Sequence, residues 1–170
     1  IVVPVSGGGM ISGIAIAAKA INPDIKIIAA EPLGVNEAAD IYASKRLGEL
    51  LALPKTKTLA DGLQARLGDL TWPVVKSQVD DVIVVTEKEI VAAMKLIYER
   101  MKVVVEPSGA VGLAAVLNPD FQQKYNSGGG GGGGGKMANV GVILCGGNVD
   151  LSSVEFWESW TRRWQSLKST

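Results

Sequence analysis

Short apolar runs alternate with longer segments along the chain. Runs rich in β-branched and small apolar residues cover 2–5, 26–30 and 82–85. Small and apolar residues fill 11–21, and a segment with a polar face covers 35–51, and we predict a helix in each. Apolar runs of this length are typical of strands buried on both faces, which are joined by crossover helices. We therefore predict an α/β fold with an open, mainly parallel, twisted sheet and helices on both faces.

The clearest helix signal follows the run at 82–85. Thr86 and Glu89 have the spacing of a capping box, and apolar residues then recur on one helical face as far as Met101. Beyond this helix we predict an extended segment, a turn, a small-residue helix and a final buried strand, at 103–105, 106–109, 110–117 and 139–144.

Composition narrows the function classes. The 170 residues are 47% hydrophobic, and 17 basic residues balance 17 acidic ones. No basic run indicates nucleic acid, and no apolar run reaches the roughly 18 residues of a membrane-spanning helix. Cys145 is the only cysteine and histidine is absent, which excludes disulfide frameworks and histidine-dependent triads. We expect a cytoplasmic protein with no nucleic-acid or membrane partner.

The segment that follows the first strand indicates a phosphate site. Ser6, Gly7, Gly8 and Gly9 lead into a helix that begins near Met10. Glycines let several backbone N–H groups face one anion, and the helix N-terminus adds its own donors. A dinucleotide-binding fingerprint is an alternative, with Glu31 in place to bind a ribose, but its third glycine would fall at Ser12.

Five segments, taken together, indicate a protein family more specifically than any one of them does. They read PVSGGGMISG, AAEP, TLADGL, EPSGAVGLAAV and LCGGNVDL. This set resembles the fold type II pyridoxal-phosphate enzymes, within them the serine racemase and serine/threonine dehydratase (ammonia-lyase) family. The likeness runs from Ile1 to about Leu151 and matches the C-terminal half of such an enzyme. It implies a homodimer that acts on serine or threonine, by racemisation of L-serine to D-serine, by β-elimination of water giving a 2-oxo acid and ammonia, or by both.

The resemblance also implies site residues around a pyridoxal 5′-phosphate cofactor. Cys145 matches the family position beside the pyridine nitrogen, and Glu106 a carboxylate near the far edge of the ring. Gly62 matches a loop against the cofactor, and Asp61 lies on its substrate side. The cofactor phosphate would be bound by the backbone of five consecutive residues, Ser6, Gly7, Gly8, Gly9 and Met10.

Two further sites follow from the same resemblance. Glu31, Glu37 and the carbonyl of Val35 match the ligands of a Mg²⁺ ion, a site that Ca²⁺ or Mn²⁺ can also occupy. The segment after Glu37 is longer than is usual in the family, so the register at Glu37 stays open. Lys102 and Asn148 match positions that contact an activating nucleotide, ATP, at the dimer interface of animal serine racemases.

The family's covalent lysine and its second catalytic serine lie in motifs upstream of the matched region. Neither motif occurs in these residues. We therefore expect a chain excised from a longer protein and inactive alone, with an incomplete cofactor-binding large domain at 1–151 and a helical tail at 152–170. Eight consecutive glycines indicate a flexible loop at 127–136. Alternatives are a nucleotide- or dinucleotide-binding module without catalysis and a fragment of an inactive or regulatory paralogue.

Overall fold

A three-stranded parallel sheet forms the centre of the computed structural model, which describes residues 1–126, 137 and 139–150. The strands are β1 (Val2–Pro4), β2 (Ile28–Pro32) and β3 (Asp81–Val85), in the spatial order β1-β2-β3. Val142 adds a parallel bridge to Val2 on the outer side of β1. The predicted open, parallel α/β sheet is confirmed.

Six α-helices cover the two faces of this sheet within the described residues. One face packs against α1 (Gly9–Ile21), α2 (Asp40–Leu47) and α3 (Trp72–Gln78). The other packs against α4 (Glu87–Leu96), α5 (Pro107–Leu117) and α6 (Pro119–Tyr125). Neighbouring strand residues contribute to opposite cores because side chains alternate along a strand. The first core contains Val3, Ala29 and Val82, and the second contains Val2, Ala30 and Ile83.

The capping box at the start of α4 is confirmed. The Thr86 hydroxyl accepts the Glu89 N–H, and the Glu89 carboxylate accepts the Thr86 N–H at 2.7 Å. The predicted helix continues to Met101, but its last turn, Ile97–Met101, is π-helical. It ends at Lys102, whose φ of 59° is left-handed.

Other predicted boundaries were wrong. The helix predicted at 35–51 is only α2, because 34–37 form a turn and Gly48 ends the helix with φ of 75°. The turn predicted at 106–109 is instead the first turn of α5, since Pro107 at a helix start needs no N–H partner.

Further differences from the sequence prediction lie at 139–144 and at two short helices. Residues 103–105, predicted as an extended segment, belong to no helix or strand, whereas 139–144, predicted as a buried strand, contribute one bridge residue and are half-buried or exposed. The short helices α3 and α6 were not predicted. Each has proline in its first turn, at Pro73 and Pro119, which was the available signal.

No helix among the residues described is long and apolar enough to span a membrane. The predicted glycine loop at 127–136 and the predicted tail at 152–170 lie outside the described residues.

Candidate active site

The glycine-rich segment turns sharply between β1 and α1. Gly8 lies at the N-terminal cap of α1 with φ of 86°. A Cβ on Gly8 would approach the hydroxyl oxygen of Thr71 to 2.7 Å and the side chain of Leu67 to 2.8 Å. Left-handed backbone and lack of space therefore both require glycine at this position.

Hydrogen bonds to the Gly7 carbonyl hold the glycine-rich segment against residues 68–71. The Gly7 carbonyl accepts the hydroxyl of Thr71 at 2.7 Å and the N–H of Gly68 at 3.4 Å. By contrast, a Cβ on Gly9 would meet nothing within 4 Å. The start of α1 thus borders open space in which a ligand can lie.

Five consecutive backbone donors in this segment have no acceptor among the described residues. They are the N–H groups of Ser6, Gly7, Gly8, Gly9 and Met10. Unpaired N–H groups at a helix N-terminus carry partial positive charge and bind anions. The segment therefore has the donors that a phosphate group requires.

These five residues line a cavity of about 350 Å³. Its other walls come from the end of β1, the turn at Gly62, the start of α5 and the segment that contains Cys145. The cavity thus brings together four segments that the sequence analysis placed at one site. Its remaining lining residues are Pro4, Val5, Ile11, Gly62, Leu63, Glu106, Ser108, Cys145 and Gly146.

The turn at Gly62 begins a short 3₁₀ helix, Asp61–Leu63. The Gly62 N–H lies 3.1 Å from the Ser108 hydroxyl oxygen and 2.9 Å from a carboxylate oxygen of Asp61, and it donates to both. Asp61 is exposed and is not among the lining residues. Its predicted place on the substrate side stays a prediction.

Glu106 joins α5 to the segment that contains Cys145. Its carboxylate accepts the Asn148 N–H at 2.9 Å, and its own N–H donates to the Gly146 carbonyl at 3.2 Å. Gly146 has φ of 92°, and a Cβ there would overlap the Glu106 carboxylate. The glycine is required for this close approach.

Cys145 is half-buried at the cavity, and its thiol donates to the Ser108 carbonyl with an S···O distance of 3.8 Å. Burial raises the pKa of the Cys145 thiol, and the negative charge of Glu106 acts in the same direction. The side chain therefore stays a neutral thiol near pH 7.

A pair of buried carboxyl groups lies near the end of β2. Glu31 is 3% exposed and Asp40 is 2% exposed, and the Asp40 carboxyl group acts on the ionisation of Glu31. Glu31 also accepts the N–H groups of Ile41 and Tyr42 at 2.9 and 2.8 Å, at the start of α2. Burial and the neighbouring Asp40 raise the pKa of Glu31 to about 8 in spite of these two donors.

The other two predicted metal ligands are exposed. Glu37 lies at the surface with φ of 51°, and the residue Val35, whose carbonyl was the predicted ligand, is 76% exposed. No set of three His, Cys, Asp or Glu side chains with metal-binding geometry occurs in the part of the chain that the structure describes. The carboxyl partner that the structure gives Glu31 is therefore Asp40, which the sequence analysis did not select.

The predicted nucleotide residues lie on two segments that are in contact through Val104 and Gly147. Lys102 is exposed and its ammonium donates to the Glu99 carbonyl at 2.6 Å. Asn148 follows Gly147, where a Cβ would lie 3.2 Å from the Val104 carbonyl, so the two segments are in contact.

Comparison with known proteins identifies the family. Residues 1–146 match the model of the pyridoxal-phosphate dependent enzymes. The chain belongs to this family. It is 54% identical to a serine racemase from Arabidopsis thaliana over 170 residues, which cover all of this chain and 46% of that protein. The chain therefore spans less than half the length of this curated relative.

Solved structures agree with the family assignment. The structure of maize serine racemase matches 95% of this chain and 46% of its own, with TM-score 0.77 and 53% identity. The processed form of threonine deaminase isoform 2 from Solanum lycopersicum matches 92% of this chain and 40% of its own, with TM-score 0.76 and 31% identity. The resemblance to the fold type II pyridoxal-phosphate enzymes is confirmed.

Sequence reasoning missed three residues that organise the site. Asp40 lies in the stretch after Glu37 whose register the sequence left open, and its place nine residues after Glu31 gave no periodic signal. Thr71 and Ser108 act through contacts distant in sequence, with Gly7 and Gly62. Ser108 lies within the segment EPSGAVGLAAV, so that motif was the available signal.

Proposed function

We propose that the protein carrying this chain is a pyridoxal-phosphate-dependent enzyme that acts on serine or threonine. Its reactions are racemisation of L-serine to D-serine, β-elimination of water to a 2-oxo acid and ammonia, or both. The observation that carries the proposal is the row of five unpaired N–H groups at one wall of a 350 Å³ cavity. This row fits a phosphate-bearing cofactor, and the similarity to serine racemases and threonine deaminases supports the substrate class.

The residues of the cavity fit this cofactor in charge and shape. Ser6 to Met10 would bind its phosphate through backbone N–H groups, and Gly62 would leave room for its ring. When bound, the cofactor supplies an electron sink for the carbanion formed at the substrate Cα. Cys145, as a neutral thiol, would leave the ring nitrogen unprotonated more readily than a carboxylate would.

We also propose a divalent cation site, Mg²⁺ first, at the carboxyl pair near the end of β2. Two buried carboxyl groups without a cationic partner among the described residues favour either a retained proton or a bound cation. Oxygen ligands of this kind suit magnesium and calcium. Glu31 is common to both versions of the site, which differ in whether Asp40 or Glu37 is the second carboxylate.

The remaining proposals concern the whole protein. It would be a cytoplasmic homodimer whose activity responds to ATP through Lys102 and Asn148. It would bind neither nucleic acid nor membranes. The 170-residue chain alone would be inactive, because it contains no lysine in the family's covalent motif.

Product analysis of the full-length protein tests the reaction. Incubated with pyridoxal 5′-phosphate and L-serine, it should yield D-serine, pyruvate with ammonia, or both, and borohydride should fix the cofactor to a lysine. Tight binding of a nicotinamide or flavin dinucleotide without pyridoxal phosphate binding would favour the module without catalysis. Turnover by the purified 170-residue chain would contradict its proposed inactivity.

A further inference from the structure

The hydroxyl group of Ser108 carries a proton that no described residue accepts. Ser108 lies in the first turn of α5, is 2% exposed and lines the cavity. Its oxygen accepts the Gly62 N–H at 3.1 Å, and this is its one side-chain hydrogen bond within the described residues. Buried hydroxyl groups in folded proteins nearly always donate to a partner. The structure therefore leaves one buried donor unmatched at the cavity wall.

None of the acceptors around Ser108 receives its proton. One Glu106 carboxylate oxygen accepts the Asn148 N–H, and the other, which lies against Gly146, forms no hydrogen bond with the Ser108 hydroxyl. The Ser108 carbonyl receives the thiol of Cys145. Since the Gly62 N–H occupies one side of the Ser108 oxygen, the hydroxyl proton must point elsewhere, and the free space beside it is the cavity.

The backbone at Ser108 is held firmly in place. The next residue, Gly109, lies so close to the segment containing Cys145 that a Cβ would be 2.7 Å from the Gly146 carbonyl and 2.8 Å from the Cys145 carbonyl. Glycine allows this approach, and the helix then carries Ser108 at a fixed position. A donor that is fixed before binding loses little conformational freedom when its ligand arrives.

We propose that the Ser108 hydroxyl donates a hydrogen bond to an acceptor atom of the bound cofactor other than its phosphate. The inference rests on the proposed function, because the cofactor is the ligand that fills the cavity. The phosphate already has the five N–H donors of Ser6 to Met10. Ser108 instead lies beside Cys145 and Glu106, the two residues that match family positions around the ring.

Binding of a cofactor analogue to the full-length apoprotein tests this assignment. Pyridoxine 5′-phosphate has the ring and the phosphate but no aldehyde, so it binds without a covalent bond. By calorimetry, S108A should bind it about tenfold more weakly than the wild type, and S108T within about twofold. The matched control is S77A, which removes an exposed hydroxyl on α3 that donates to the Pro73 carbonyl and should change nothing.

Binding of inorganic phosphate distinguishes the loss of a direct contact between Ser108 and the cofactor from a general disturbance of the cavity. S108A should bind phosphate as the wild type does, because the phosphate donors are the N–H groups of Ser6 to Met10 and the Gly62 N–H keeps the Asp61 carboxylate as its acceptor. Unchanged affinity of S108A for pyridoxine phosphate, or an equal loss of affinity for both ligands, would overturn the assignment of Ser108. A wild-type protein that binds no pyridoxine phosphate would instead overturn the proposed function, and the Ser108 contact with it.

Discussion

The segments at the ends of β1 and β2 are neighbours on one edge of the sheet, yet they present polar groups that suit ligands of opposite charge. Beyond β1, five backbone N–H groups have no acceptor among the described residues. At the end of β2, Glu31 and Asp40 bring two carboxyl groups together, and no ion pair reaches either of them within the described residues. The first arrangement suits an anion and the second suits a cation.

The two sites also differ in how they are built. The anion site consists of backbone N–H groups alone. It therefore requires glycine at position 8 and open space beside Gly9. The carboxyl pair needs side chains from β2 and α2, which a turn at 34–37 holds together. A change in that turn therefore disturbs the second site more than the first.

One segment contacts both sites. The Leu67 N–H donates to the Asp40 carboxylate at 2.8 Å, while the Leu67 side chain packs against Gly8. Four residues further on, the Thr71 hydroxyl donates to the Gly7 carbonyl. Residues 67–71 thus connect the carboxyl pair to the anion site, and a cation bound at the pair would help to fix the glycine-rich segment.

The largest effect is expected at Gly8. G8A should lower the free energy of unfolding by about 2–4 kcal/mol, because it combines left-handed backbone with overlap against Thr71 and Leu67. It should also abolish binding of inorganic phosphate. Denaturant unfolding and calorimetry measure the two quantities.

The control for Gly8 is its neighbour in the same turn. G9A adds a methyl group to open space, so it should change the free energy of unfolding by less than about 0.5 kcal/mol. If G8A were as stable as G9A, the close packing of Thr71 and Leu67 against this turn would be contradicted.

The carboxyl pair should respond to cations rather than anions. Mg²⁺ at about 100 times its dissociation constant should raise the unfolding midpoint of the wild type by about 5–10 °C. D40N should lose this increase, although its amide oxygen can still accept the Leu67 N–H. Thermal unfolding with Mg²⁺ and with a chelator measures the effect.

The matched variant for Asp40 is E37Q, at the other candidate carboxylate. Because Glu37 is exposed, E37Q should keep the full Mg²⁺ effect. The reverse result, with the effect lost in E37Q and retained in D40N, would restore the ligand set predicted from the sequence. Equal midpoints with Mg²⁺ and with chelator in the wild type would remove the cation site altogether.

The anion site was the more predictable of the two because its signal is local. A β-branched run, consecutive glycines and a small-residue helix determine strand, turn and helix within about a dozen residues, and the structure has all three. The capping box at Thr86 was likewise local and is confirmed. The alternation of apolar runs was enough to predict the parallel sheet.

The carboxyl pair was less predictable because it depends on where α2 begins. A helix predicted from Val35 would put Glu37 inside it, whereas the turn at 34–37 moves the helix start to Asp40. That start lies beside Glu31, whose carboxylate accepts the first N–H groups of the helix. This contact belongs to tertiary packing, which periodicity does not encode.

The smallest effect concerns a carboxylate that has cationic partners, unlike the pair at Glu31. Burial alone would raise the pKa of Asp80, but the Ile27 N–H at 2.9 Å and the ammonium groups of Lys19 and Lys26 lower it below 3.8. Asp80 therefore stabilises the fold above that pH, and the stabilisation is lost as the pH falls through the lowered pKa. D80N should cost about 1 kcal/mol at neutral pH, and this cost should shrink as the pH falls through the lowered pKa of Asp80 and the wild-type carboxylate becomes protonated. Urea unfolding from neutral to acidic pH, with exposed Asp24 changed to asparagine as the control, measures the change; a cost that does not vary with pH would show that the carboxylate charge contributes nothing.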